Sequence, residues 1–264
     1  DQAIVTTPTT LNTAGGAVSL TAADAITSTV TTGTITTTGS ASTGNVATDT
    51  AGAGGEVLIR HTTGVANQAV TLNAAIVASG GASAESNDTG GAGGVVTVLN
   101  DSGTISVHNI TSSGGISGGG TAGNGGTIQL QTGVAGNTIG QTGTTTALIA
   151  LAGTGAGTAG VDGNLKVISK GGVTLTNTGN DVGTLAASVA DNLAAFSYTD
   201  ASALKIGTVS VQGTAPANLG SLSGIVTKGG AVTVVAGTTT GHTLTIDQAI
   251  VTTPTTLNTA GGAV

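Results

Sequence analysis

The sequence predicts an all-β protein, a right-handed parallel β-helix (β-solenoid). Three observations lead there: an 18-residue stretch that returns unchanged, short apolar alternations introduced by Gly-Gly, and a composition dominated by glycine, threonine and aliphatics. Residues 1–18, DQAIVTTPTTLNTAGGAV, are identical to residues 247–264. Asp1 is thus equivalent to Asp247, and Pro8 to Pro254. We read residues 1–246 as one full tandem repeat and 247–264 as the start of the next. Before the second copy, GHTLTI (241–246) alternates as a strand and runs on into DQAI. The first copy lacks that lead-in, and the chain has no Met, so it is expected to be a piece of a longer array, cut within an element.

Of 264 residues, 47 are Gly, 6% are charged and 1% aromatic; roughly a fifth are Thr, against ~25% charge in ordinary soluble domains. Disorder is excluded because 38% of residues are apolar, mostly Val, Ile, Leu and Ala in short runs. Collagen is excluded because Gly does not occupy every third position throughout. Val, Ile and Thr suit a pleated surface and Gly suits its turns. Counting Asp1 and Asp247 once, a repeat holds 11 acids and 5 bases. So thin an acidity argues against nucleic acid, which requires a basic stripe. No apolar run approaches the roughly 18 residues of a membrane span, so no membrane insertion is expected. The absence of Cys excludes a disulfide framework and thiolate metal sites.

Taken in order, the elements follow a Gly-Gly-x-Val-x-Leu rule. Gly15-Gly16 leads to Val18 and Leu20, Gly54-Gly55 to Val57 and Ile59, Gly93-Gly94 to Val96 and Val98. Gly125-Gly126 leads to Ile128 and Leu130. Gly163-Asn164 shifts by one to Leu165 and Val167, and Gly171-Gly172 likewise to Val173 and Leu175. Gly229-Gly230 returns to the first register with Val232 and Val234. Each unit continues with further short strands, such as AVTLN (69–73), AIVAS (75–79) and TISVHNI (104–110). The stretch nearest to a helix, TLAASVADNLAA (184–195), is read as a single turn. Hairpin turns of Asn-Gly type are nearly absent, which argues against an antiparallel sandwich. The Gly-rich runs 80–94 and 114–126 are expected to be surface loops leaving the coil.

About five or six buried aliphatics per coil cannot offset the ordering of its ~25 residues, so a lone coil does not fold. Stacked coils share faces and backbone hydrogen bonds, and stability comes from neighbours. At ~20–27 residues per coil, a repeat would hold roughly nine to twelve coils and extend about 45–60 Å.

Residues 182–211 resemble a known family. Leu185-Ala186-Ala187, Phe196-Ser197-Tyr198, Asp200, Leu204, Ile206-Gly207 and Val209 are similar to repeats of filamentous-haemagglutinin-like exoproteins, giant bacterial β-strand-repeat surface proteins. GGEVLIRHTTG (54–64) and GIVTKGGAVTVVAG (224–237) resemble their coils as well. The resemblance implies a β-helical shaft, two-partner-type export from a Gram-negative cell, and a role in adhesion or surface fibres.

No residue pattern carries chemistry. His61, His108 and His242 sit in three different units and read as exposed strand-edge residues, not as a converging metal site. Asp24, Asp49, Glu56, Glu85, Asp88, Asp101, Asp162, Asp181, Asp191 and Asp200 follow no recurrent spacing, whereas glycosidic chemistry needs paired acids. The sequons at Asn87, Asn100 and Asn109 are as frequent as chance provides. Phe196 and Tyr198 share one strand parity and read as marking or capping a wider coil. Threonines in 5–10 and 27–39 would face outward and, over stacked coils, form a lattice of hydroxyls and methyls such as an ice-binding solenoid presents. The expectation is therefore no catalytic, cofactor or metal site. The chain reads as a structural repeat of a long secreted fibre, extracellular or on the cell surface. Its partners are neighbouring identical repeats, with end-to-end or lateral self-association. The alternative is a direct binding module for sugar, matrix or a crystalline polymer.

Overall fold

The computed structural model describes residues 3–28, 33–42, 48–63, 67–210, 212–213, 219–237, 240–254 and 261–264. Three parallel sheets, here called A, B and C, form the sides of a prism that the chain winds around. It opens on sheet A with β1 (Ile4–Val5). Each of the next five coils lays strands on B, then C, then A. The first coil is β2 (Val18–Ala22), β3 (Ile26–Ser28) and β4 (Ile35–Thr36); the second is β5 (Val57–His61), β6 (Val70–Leu72) and β7 (Ile76–Val77). The third is β8 (Val95–Asn100), β9 (Ile105–Val107) and β10 (Ile110–Thr111); the fourth is β11 (Thr127–Thr132), β12 (Ile139–Gln141) and β13 (Leu148–Ala150). The fifth is β14 (Asn164–Ser169), β15 (Val173–Leu175) and β16 (Asp181–Val182).

Then the pattern changes. The long β17 (Thr184–Asn192) on B and β18 (Phe196–Asp200) on C are followed directly by β19 (Leu204–Ile206), again on B. An excursion carrying the antiparallel pair β20 (Thr208–Val209) and β21 (Leu222–Ser223) leads to β22 (Ile225–Lys228), also on B. β19 stacks on the first half of β17 and β22 on its second half. Finally come β23 (Val232–Ala236) on C, then β24 (Leu244–Ile246) and β25 (Ile250–Thr252), which stack on β19 and β22.

The Gly-Gly-x-Val-x-Leu rule is the register of sheet B. One inward row runs Val18, Val57, Val96, Ile128, Leu165, Leu185. The next runs Leu20, Ile59, Val98, Leu130, Val167, Ala187. The later doublets serve a different sheet: Val173 and Leu175 stack with Phe196 and Tyr198, and these with Val232 and Val234, on C. Phe196 and Tyr198 are fully buried in that row.

Two expectations are corrected. Residues 184–192 form β17 rather than a helical turn, because β14 on one side and β19 and β22 on the other supply a ladder along its length; that outweighs alanine's helix propensity. The coils also number fewer than nine to twelve. The ten strands of sheet B fill eight levels, since β19 shares one with β22 and β24 the next with β25. The glycine runs belong to the coil and lengthen it: Val57 follows Val18 by 39 residues and Ile128 follows Val96 by 32.

Candidate functional site

The glycine runs are not free loops. Between sheets A and B the chain leaves the prism and returns, and arms from successive coils stack in two layers. Outgoing arms bond to one another through Gly39 N to Ser79 O, Ser42 N to Ala82 O, Gly80 N to Ser113 O and Ser83 N to Ile116 O, each 2.9–3.0 Å. Returning arms do the same through Ala51 N to Thr89 O, Gly54 N to Ala92 O, Gly90 N to Thr121 O and Gly93 N to Asn124 O. A third set joins the layers, running Gly153, Gly123, Gly115, Gly91, Gly81, Gly52, Ser40, Thr13, each N–H donating to the carbonyl of the next. Same-layer donors recur every three residues, the period of an extended polyproline-II-like chain. A Cβ on Gly52, Gly81, Gly91, Gly115 or Gly123 would fall onto a carbonyl oxygen of the same-layer arm in the preceding coil. Only glycine permits that approach. The local signal was present in Gly80-Gly81-Ala82-Ser83 and Gly90-Gly91-Ala92-Gly93, where two interior positions alternate with one outward.

The candidate chemical residues resolve into anchors. His61 is buried, which corrects the expected exposed edge: it extends the inward side of β5 at the B-to-C corner, where Asn100 stacks on it. Its Nδ1 lies 3.0 Å from Asn100 Oδ1 and 3.2 Å from Ser102 Oγ, and its Nε2 lies 3.1 Å from Ala23 O. His108 is half-buried and His242 exposed. Asn100 is fully buried, its amide donating to Gln68 O and Thr104 O and its oxygen accepting from Ser102 N and Gly103 N. That removes one sequon from solvent. Asn109 accepts from Ala147 N, and Asn87 is exposed.

Among the acids, Asp88 is buried in the glycine layers, accepting from Ser42 Oγ at 2.7 Å and Asp49 N at 2.8 Å. Asp101 pairs with Arg60 at 2.7 Å on the surface. Asp181 and Asp200 meet at Ser202, whose Oγ donates to Asp181 and whose N donates to Asp200. Asp200 also accepts from Tyr198 Oη at 2.7 Å and Val182 N at 3.1 Å. Burial pushes the Asp200 carboxyl up to about 6, and burial beside Asp200 raises the Tyr198 phenol. Every contact of this carboxylate is internal and the residue is fully buried, so it closes a corner and presents nothing to a substrate. Among the described residues, no three His, Asp or Glu side chains converge as metal ligands.

Lys166 is a group the sequence reading passed over. It points outward from β14 yet is buried, because Leu219 and Gly220, which precede β21, lie over the outer face of sheet B. Its ammonium donates to Leu219 O and, at 2.6 Å, to Gly220 O, and burial lowers its pKa. Beside it Gln129 donates to Thr97 Oγ1 and Gln212 O, so the excursion covers a polar row over three coils. On sheet C the outward row is Thr27, Thr71, Ser106, Gly140, Thr174, Ser197, Thr233. This column is one residue wide and its hydroxyls are interrupted at Gly140; Thr29, Thr31 and Thr32 of the expected array lie outside the described residues.

Both ends of the prism expose apolar side chains, as do Ile116, Val134, Val161 and Leu193 along its length. At the far end Val264 is 76% exposed, Ile246 57% and Leu244 40%. They line, with Val232, Val234 and Ile250, a cleft of about 320 Å³. At the near end Val5 is 63% exposed, and β2 and β3 line a second cleft of about 460 Å³. The fold and these ends define a stacked parallel β-helix. No protein-family model, curated protein or solved structure matches the chain.

Proposed function

We propose that the chain is a structural repeat of a long extracellular fibre, a shaft whose unit of assembly is the next coil. The observation that carries this reading is the pair of open apolar ends, combined with the identity of residues 1–18 and 247–264. A parallel edge of unpaired N–H and C=O groups over bare Val, Ile and Leu is a surface that another coil of like sequence satisfies. Backbone ladders run along the fibre axis, so neighbouring coils carry load together. The resemblance of residues 182–211 to filamentous-haemagglutinin-like exoproteins supports a fibre exported to a bacterial surface and acting in adhesion.

Sedimentation of the 264-residue chain tests the reading. Linear oligomers should grow with concentration, and Ile246→Glu, which sets a charge on the bare edge, should suppress them while preserving the β-sheet circular dichroism signal. A wild-type chain that stays strictly monomeric at high concentration would count against the shaft. The second reading, direct binding of sugar or matrix, draws on the hydroxyl column of sheet C. Retention of this chain on a glycan array would favour it.

A further inference from the structure

The two copies of the 18-residue segment turn different corners of the prism. In the first, Ile4 stacks on Ile35 in sheet A and Val18 enters sheet B beside Val57. In the second, Ile250, the equivalent of Ile4, stacks on Ile225 in sheet B. The equivalent of Val18 is Val264, which lies beside Val232 at the end of sheet C. Val232 N donates to Ala263 O at 2.6 Å, the same pattern by which Val18 N donates to Glu56 O where Val18 faces Val57.

A shared clasp explains how one sequence serves both corners. Thr6 Oγ1 donates to Gly16 O at 2.7 Å, and its equivalent Thr252 Oγ1 donates to Gly262 O at 2.9 Å. The neighbouring coil has the same clasp at each corner: Thr37 Oγ1 to Gly55 O between A and B, and Thr227 Oγ1 to Gly230 O between B and C. A Cβ on Gly55 would meet Gly16 O, and one on Gly262 would meet Gly230 O. Each copy is thus stacked, glycine on glycine, at its own corner.

We infer that the repeat winds a whole number of coils plus one third, so that each repeat docks on the one before it rotated by one face of the prism. The inference rests on the shaft reading and names its joint: the far end is a docking surface for a second copy of this sequence, entering through sheet C. The following repeat lays its Val18 and Leu20 positions over Val232 and Val234, and its Ile35 position over Ile250, as Ile35 already lies on Ile4. All of these are inward apolar positions, and they cover the cleft at Leu244 and Ile246. Features that recur once per repeat, the glycine layers and the excursion over Lys166, then move to the next face at each repeat and return after three.

The test uses the full tandem chain, whose sequence has no cysteine. T21C is placed in one repeat, with either V235C in the repeat before it or V251C, the Val5 position of its own repeat. Thr21, Val235 and Val251 are all exposed, on β2, β23 and β25. Outward neighbours on adjacent parallel strands lie ~4.8 Å apart, within disulfide reach. The rotated joint predicts near-complete oxidation of the T21C–V235C pair and none of T21C–V251C. Cross-linking of T21C to V251C alone would overturn the rotation and leave the shaft standing. Cross-linking at neither position, with repeats that sediment as hinged separate bodies, would overturn both.

Discussion

At the scale of single residues, most polar groups inside this chain close corners. Asp200 takes three hydrogen bonds from Tyr198, Val182 and Ser202, yet burial still raises its carboxyl to about 6. Burial penalises the charged form more than those donors favour it. The unfolded value lies near 3.8, so the folded state binds the proton more tightly. Its contribution to stability is present below about pH 4 and is lost as pH rises through about 6. Thermal melts between pH 4 and pH 7 should show a decline that Asp200→Asn, which has no carboxyl to ionise, flattens. A decline of the same size in the variant would assign it to another group. His61 and Asn100 serve the B-to-C corner in the same way, and Asp88 ties the glycine arms together. Their burial was not legible in the sequence, because a polar residue in a strand reads as outward unless the stacking partner that satisfies it is known.

At the scale of elements, sheet and glycine layer are built on opposite principles. A sheet B strand is held by its side chains: Ile59, Val98 and Leu130 fill one row and tolerate only similar volumes. The glycine arms are held by their backbones and exclude side chains between the layers. Gly91→Ala would drive a methyl onto Gly52 O. It should destabilise by about 1–3 kcal/mol or more, as overpacking does. Gly220→Ala, with open space around its Cβ position, should stay within about 0.5 kcal/mol, as surface changes do. Chemical denaturation of both variants compares them directly, and an equal loss would mean that the layers are looser than their hydrogen bonds imply. The arms were legible as departures from the coil. Their stacking was not, because glycine carries no hydrophobic pattern; only the Gly-Gly-x spacing marks it.

At the scale of the whole molecule, stability is a property of stacking and should be graded along the axis. Levels β8, β11 and β14 have a coil on either side, the core beneath and, over part of their outer face, Gln212, Leu219 and Gly220 of the excursion. β2, β24 and β25 lie at the ends. Hydrogen exchange should therefore be slowest in β8–β14 and quicken toward both ends. Leu130→Ala should cost about 2–5 kcal/mol as a buried large-to-small change, and Leu20→Ala, at the half-buried edge, clearly less. Uniform protection from end to end would indicate a single globular unit instead of a stack. The repeat rises through seven and a third turns from β1 to β25, roughly 35 Å at the spacing between strands, shorter than the 45–60 Å that smaller coils would give.

The amino-acid sequence by itself determined the parallel stack and its main register: alternation sets which side chains face in, and the 39- and 32-residue returns of Gly-Gly set which ones meet. It also displayed the 246-residue return. What only the tertiary structure decided is where each row goes when equivalent positions are available. Ile4 and Ile250 are the same residue in the same sequence, yet one lies in sheet A and the other in sheet B. The reason is physical. The Thr–Gly clasp fits two corners equally well, so the choice falls to the coil already in place.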